Sequence, residues 1–300
     1  MTLVRSIMLN HGVSKLVLFV LACGGGACAT TQEYAAFAQA GSTYATAVDR
    51  LLVISRETTV DATSNRLLQD DALANLTPAD YRALSDTDRI RLETIERLRL
   101  HAGLLGRYFR TLLRLTDSNA STETKVALNG TVEGLNTVGK ELRGSSLLNA
   151  DAKAAIGAIG ELVVSAKIRG DLREEFRLRH ATLRQEMVLQ EQLLEALSEA
   201  ITHDLQITTQ IREQRSVIAP LTDAKPISNI DQWMQLRRTV LLGNPEIAEL
   251  QNASRAAGEM RNAFEDLVAG HLSAARLTAV SGEFESILGV AEHVMAAANK

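Results

Sequence analysis

Cysteine, proline and aromatic residues are all scarce in this chain. Its two cysteines, Cys23 and Cys28, both lie close to the N-terminus, so the remainder holds no disulfide and no cysteine-built zinc site. The four prolines are Pro78, Pro220, Pro226 and Pro245, and none interrupts the long stretch between the first two; helices and turns suffice to fill it. Aromatics are 4% of the chain while apolar residues are 46%, chiefly Leu, Ala, Val and Ile. That mixture disfavours sandwiches and barrels, whose strands favour aromatic and β-branched residues, and favours helices packed on helices. Beyond residue 30 no apolar run reaches the roughly 18 residues of a membrane span.

The motifs of several chemistries are missing too. No histidine follows Glu or Asp at the three-residue spacing of a di-iron bundle, and His-Glu-x-x-His is absent. There is no phosphate-binding Gly-x-x-x-x-Gly-Lys-Ser/Thr loop and no Gly-x-Ser-x-Gly nucleophile elbow. The expectation is a protein that is not an enzyme, with no cofactor and no metal. The formal net charge is −4. Residues 1–27 contribute Arg5 and Lys15 and no acid, so the rest of the chain is more acidic than the whole. Such a balance argues against nucleic acid as a partner.

The N-terminus is organised differently from the body. Residues 1–15 are basic, Leu16 to Ala22 (LVLFVLA) is a short apolar run, and Cys23 follows at once, then Gly24-Gly25-Gly26-Ala27-Cys28. A run this short suits a signal-peptide core rather than a span. The segment resembles the lipobox of bacterial lipoproteins, in which a cysteine receives a diacylglyceryl group and becomes the mature N-terminus. Val20-Leu21-Ala22-Cys23 departs from that pattern at Leu21, where a small residue is commoner. Gly25-Gly26-Ala27-Cys28 lacks the aliphatic residue three positions before its cysteine. The resemblance implies a signal peptide over 1–22, a lipidated Cys23 (alternatively Cys28) with a tether over 23–30, and a single all-helical periplasmic domain over 31–300. Because Gly24 or Ala29 follows the cysteine, it also implies the outer membrane, on its periplasmic face, before the inner. Acyl chains such as palmitate would then hold the protein to the membrane.

From residue 31 helical periodicity dominates. Tyr34, Phe37, Gly41, Tyr44, Val48 and Leu51 recur at steps of three and four, one stripe of a helix. The polar stretch from Glu57 to Asp71 predicts fraying or an end. Thr77-Pro78-Ala79-Asp80 reads as a helix start, with a second start at Ser85 or Asp86. A helix over about 122–143 contains Gly130, Gly134 and Gly139, which predict close packing or a mobile segment. Asn149 caps a helix reaching about Ile218, bent near Gly170. A short helix around Asp231 to Leu242 carries Trp233. Asn244-Pro245 opens a final helix over about 245–297. The fold class expected is all-α: an elongated bundle of about four to five long helices with coiled-coil-like packing.

The least even feature is a concentration of arginine, including Arg89, Arg91, Arg97, Arg99, Arg107 and Arg110, with Arg82 and Arg114 at its edges. Guanidinium forks recognise carboxylate and phosphate, so these residues form a candidate face for an anionic partner. The competing expectation is ion pairing with Glu174, Glu175, Glu186, Glu191, Glu195 and Glu199 of the helix that follows. His180 and His271 read as core or boundary histidines, and His203-Asp204 as a solvated helix face. The leading functional expectation is a membrane-anchored, non-enzymatic envelope protein that scaffolds or binds a protein partner. An exposed apolar stripe would support that reading. The alternative is a small-molecule-binding or sensory module, with Tyr34, Phe37, Tyr44, Tyr108 and Phe109 lining its pocket. No oligomeric state follows from the sequence.

Overall fold

In the computed structural model, the backbone is described for residues 26–68, 77–115, 122–156, 172–222, 227–242 and 245–298. Helices α1 (Gly26–Leu67), α2 (Pro78–Arg114), α3 (Thr122–Arg143), α4 (Ala150–Ile156) and α5 (Leu172–Glu213) come first. A π-helical turn, Gln214–Ile218, leads to α6 (Ala219–Thr222), α7 (Ile230–Leu242), α8 (Pro245–Ala269) and α9 (Ala274–Ala298). No strand occurs among the described residues. The fold is an all-α bundle with several long helices. Helix α1, 42 residues and so about 63 Å long, packs against α2, α5, α8 and α9.

The scarce aromatics are concentrated where these helices meet. Phe37 of α1 meets Phe109 of α2 edge-on at 5.8 Å between ring centres, Phe176 of α5 edge-on at 5.7 Å, and Phe264 of α8 stacked at 5.6 Å. Gly41 permits this approach, because a Cβ there would sit 2.6 Å from the Phe109 ring. Tyr34 stacks on Phe176 at 5.3 Å, and Tyr44 lies against Phe284 of α9 at 5.1 Å. Tyr34, Phe37, Tyr44, Tyr108 and Phe109, read from sequence as pocket lining, are all buried in one continuous core.

Helix ends follow local chemistry. Thr77 and Asp80 form a reciprocal capping box around Pro78, with Thr77 N–H donating to Asp80 Oδ2 at 2.9 Å and Asp80 N–H to Thr77 Oγ1 at 3.3 Å; both orphan donors are thereby satisfied. Asn149 accepts from Ala152 N–H at 2.7 Å and starts α4. No new start occurs at Ser85 or Asp86, and α2 runs unbroken.

Two boundaries differ from expectation. Helix α1 does not fray at Glu57 but continues to Leu67. Ser55, Thr58, Thr59, Thr63 and Ser64 each donate to the carbonyl four residues back, at 2.7 to 3.1 Å. Hydroxyls bonded this way can be buried without an unmet polar group, so a polar sequence still packs. The final helix is two helices. Gly270 has φ 76°, His271 N–H donates to Asp266 O at 2.8 Å and Gly270 N–H to Leu267 O at 3.1 Å. That pair of bonds closes a Schellman motif, and Ser273 Oγ then caps α9 by accepting from Arg276 N–H at 3.2 Å.

Residues 1–22 and Cys23 lie outside the described residues, as does Gly170. Cys28 lies in the first turns of α1, its side chain outside them.

Candidate functional site

The arginines of α2 fall into two groups. The first is paired. Arg89 bonds Asp86 on its own helix at 2.5 Å. Half-buried Arg91 donates to the buried carboxylate of Asp204 on α5, which also accepts from Arg66 of α1 at 3.1 Å. Arg97 lies 3.5 Å from Glu141 of α3 and 4.0 Å from Glu93. Arg99 Nε donates to Asp49 of α1 at 2.9 Å, and its Nη1 lies 3.3 Å from Glu96. Ion pairing is therefore real, but its partners are largely aspartates and glutamates of α1, α2 and α3. The Glu174 side chain lies outside the described residues; of the other five glutamates expected on α5, none pairs with these arginines, and α5 contributes Asp204 instead. Asp204 is thus a buried ion-pair acceptor rather than part of a solvated face, while its neighbour His203 is exposed.

The second group is Arg107, Arg110 and Arg114. Among the described residues none of the three has an ion-pair partner; Arg110 Nη1 donates only to Ser42 Oγ of α1 at 3.3 Å. Together with Leu104, Thr111, Ala127, Gly130 and Thr131 they line a groove of about 540 Å³ between α2 and α3.

Helix α5 carries a second arrangement that motif reasoning did not reveal. Glu175, Arg179, Glu186, Gln190 and Asp204 are all buried, and at 100° per residue they fall within about 60° of one another. His101 of α2, fully buried, bonds Glu186 Oε2 through Nε2 at 2.8 Å, and Gln190 Nε2 lies 3.2 Å from its Nδ1. Arg143 of α3 donates to Glu186 Oε1 at 3.1 Å. Further along, Arg179 pairs with Glu175 at 2.6 Å and donates to Asn129 of α3 at 3.4 Å, and Tyr108 donates to Glu175 at 3.4 Å. Burial raises the Glu175 carboxyl above its ordinary range, against the opposing pull of Arg179 and of the Tyr108 hydrogen bond. The Tyr108 hydroxyl is pushed up by the same burial, and next by the Glu175 charge. The one sequence signal for this network was His101 standing on the stripe of Leu98, Ala102 and Leu105. These groups are packed side chain on side chain, so their chemistry is that of positioning helices. Among the described residues no three His, Cys, Asp or Glu side chains converge as a metal site. His180 is half-buried against Phe264 at 5.5 Å, whereas His271 is exposed on the turn after α8.

The third feature is α7, on which no residue is buried. Asn229 caps it by accepting from Gln232 N–H at 3.0 Å, and Trp233 Nε1 donates to Val217 O in the π-turn at 3.1 Å. Trp233, Leu236 and Val240 are half-buried against the bundle. The apolar arc is wider than the bundle covers. Ile230, Met234 and Leu241 continue it outward, with Ile230 63% and Leu241 62% exposed, and Leu242 at the end is 84% exposed.

In comparisons with protein-family models, with curated proteins and with solved structures, nothing matches this chain.

Proposed function

We propose that this chain is a lipid-anchored bacterial envelope protein whose helical bundle is a non-enzymatic interaction or scaffold module. Its lipid would be carried by Cys23, or by Cys28, placing it at the periplasmic face of the outer membrane. The observation that carries the interaction reading is the uncovered apolar arc of α7. A soluble domain seldom leaves neighbouring large aliphatic side chains in water unless a partner covers them, and an amphipathic helix with anchors at Ile230, Met234 and Leu241 suits docking against another apolar surface. The tightly packed polar face of α5 supports a rigid scaffold, and the burial of Tyr34, Phe37, Tyr44, Tyr108 and Phe109 in the core gives an aromatic-lined pocket for the sensory alternative no support.

A photoreactive side chain placed at Leu241, compared in cells with one at exposed Glu283 on α9, tests the docking face. The expected result is a discrete crosslinked product from position 241 alone. Equal and featureless products from both positions would overturn it. The anchor is tested separately by intact mass and membrane fractionation of Cys23→Ala and Cys28→Ala beside the unaltered chain. One variant should lose both acyl mass and membrane association; a soluble chain of unmodified mass would end that part of the reading.

A further inference from the structure

We infer that the groove between α2 and α3 is a binding site for a phosphorylated ligand, recognised by Arg107, Arg110 and Arg114. This inference is independent of the docking face on α7. Three guanidinium groups at positions i, i+3 and i+7 span about 10.5 Å of helix, and no carboxylate among the described residues answers any of them. Like charges three and four residues apart oppose helix stability, so the grouping works against the element that carries it. The negative end of the helix dipole favours a cation within the last turn, which accounts for Arg114 but not for Arg107 two turns earlier. Every other arginine of the run from Arg89 to Arg99 has found a carboxylate, on the same helix or a neighbour. Glu123 and Glu133, exposed on α3, make no ion pair with the three.

The shape of the groove completes the argument. At about 540 Å³ it lies within the range of small-ligand sites. Its floor is kept low by Ala127 and Gly130, and a Cβ built on Gly130 would meet nothing within 4 Å. Gly130 therefore serves no packing contact. Along one wall stand the forks; on the floor, Leu104 is apolar, the Thr111 hydroxyl can accept from or donate to a polyhydroxylated carrier, and the Thr131 hydroxyl, which donates to Ala127 O at 2.8 Å, can accept from it. A phosphate monoester brings close to two charges and three acceptor oxygens, enough to accept two guanidinium forks at once. A single carboxylate brings one charge and satisfies one fork. The ligand class is accordingly a phosphate ester on a sugar or glycerol carrier, whether a free metabolite or a lipid headgroup.

Binding of fructose 1,6-bisphosphate and of inorganic pyrophosphate to the full chain, followed by calorimetry at low salt, is the direct test. Vesicles of phosphatidic acid in phosphatidylcholine, against phosphatidylcholine alone, form the second arm. The expected result is saturable binding in at least one arm, which also tells a free source from a lipid one. R107Q/R110Q/R114Q should weaken it by at least about tenfold, since charge-assisted bonds are lost. R89Q/R97Q, which removes charges from the paired stretch, should change it by less than about twofold. Gly130→Phe, plugging the floor without touching a charge, should weaken binding as well. Equal weakening by the paired-stretch variant would reduce the effect to net charge and overturn the site. So would the absence of binding in both arms, or a polyglutamate peptide that competes as well as the phosphates do. Variants at Ile230 and Leu241 should leave phosphate binding intact, so failure here and failure of the docking face are separable.

Discussion

The two halves of the arginine run on α2 share a helix, yet they differ in spacing, in the acids around them and in pairing. From Arg89 to Arg99 each side chain is spent on a carboxylate, and those carboxylates lie on α1, α3 and α5 as well as on α2. From Arg107 to Arg114 the charges face a groove. Part of the division is local, since Asp86, Glu93 and Glu96 lie in the paired stretch of α2 and no acid lies between Leu100 and Arg114; part is set by neighbouring helices. Near Arg91 the bundle brings α1, α2 and α5 together around the buried Asp204, where an unpaired charge would be intolerable. Around Arg107 to Arg114, α3 flanks the groove and Arg110 reaches Ser42 of α1, but the three side chains are exposed, so solvent can stabilise a guanidinium without a carboxylate. Whether an arginine is paired or free thus follows both the acids within reach on α2 and the helices that converge beside it.

Breaking the paired half should have the largest effect. Asp204→Ala leaves Arg66 and Arg91 without their shared acceptor, and removing one side of a largely buried ion pair costs about 3 kcal/mol. Urea unfolding of the single variant and of D204A/R91L measures it. The double variant should recover part of the loss, because replacing both partners by apolar groups is far less costly than orphaning one. A single variant as stable as the parent would mean that the two halves differ in appearance only.

The glycines of α3 sharpen the same comparison at a smaller scale. A Cβ at Gly139 would lie 2.6 Å from Glu186 Oε2, and that carboxylate is held in place by His101 and Arg143, so Gly139→Ala should destabilise by about 1–3 kcal/mol. Gly130, in the same helix but opposite the free arginines, has open space, and Gly130→Ala should stabilise by about 0.5–1 kcal/mol through helix propensity. Opposite signs in thermal unfolding support a packed end and an open groove. Two losses of similar size would mean that the groove is occupied by protein.

Much of the architecture could be read from periodicity. The stripe through Phe37, Tyr44, Val48 and Leu51, the capping pair Thr77 and Asp80, and the caps before Ala150 were all local signals, and local signals survive folding. Errors arose where a local rule had a second solution. The run of hydroxyls after Glu57 looked like a helix end because Ser and Thr usually favour caps and turns, yet bonding to the i−4 carbonyl lets them stay inside a buried helix. Gly270 and Ser273 were a C-terminal stop and an N-cap three residues apart, masked by the alanine-rich sequence around them. Interhelical partners were the least legible. Asp49 and Asp204 meet Arg99 and Arg91 across 50 and 113 residues, and no window of sequence carries that information. The arginine run was visible as a candidate face, and Asp86, Glu93 and Glu96 stood within its paired half, while the partners supplied by α1, α3 and α5 were not legible.

The smallest expected effect is on the stability of the free half itself. R107Q/R110Q/R114Q removes two like-charge neighbours, at i,i+3 and i,i+4, whose relief is worth about 0.2–0.5 kcal/mol each at low salt. It also removes the favourable interaction of Arg114 with the helix dipole, worth about 0.3–1 kcal/mol. These terms oppose one another, and exposed substitutions of this kind usually stay within about 0.5 kcal/mol. The net change in urea unfolding should therefore be close to zero. It should shrink further as salt rises, because both contributions are screened. A loss of several kcal/mol would show that the arginines hold α2 to α3, and would make the groove a structural seam. A near-zero change beside a large loss of phosphate binding leaves recognition as the reason for three charges on one helix face that no described carboxylate answers.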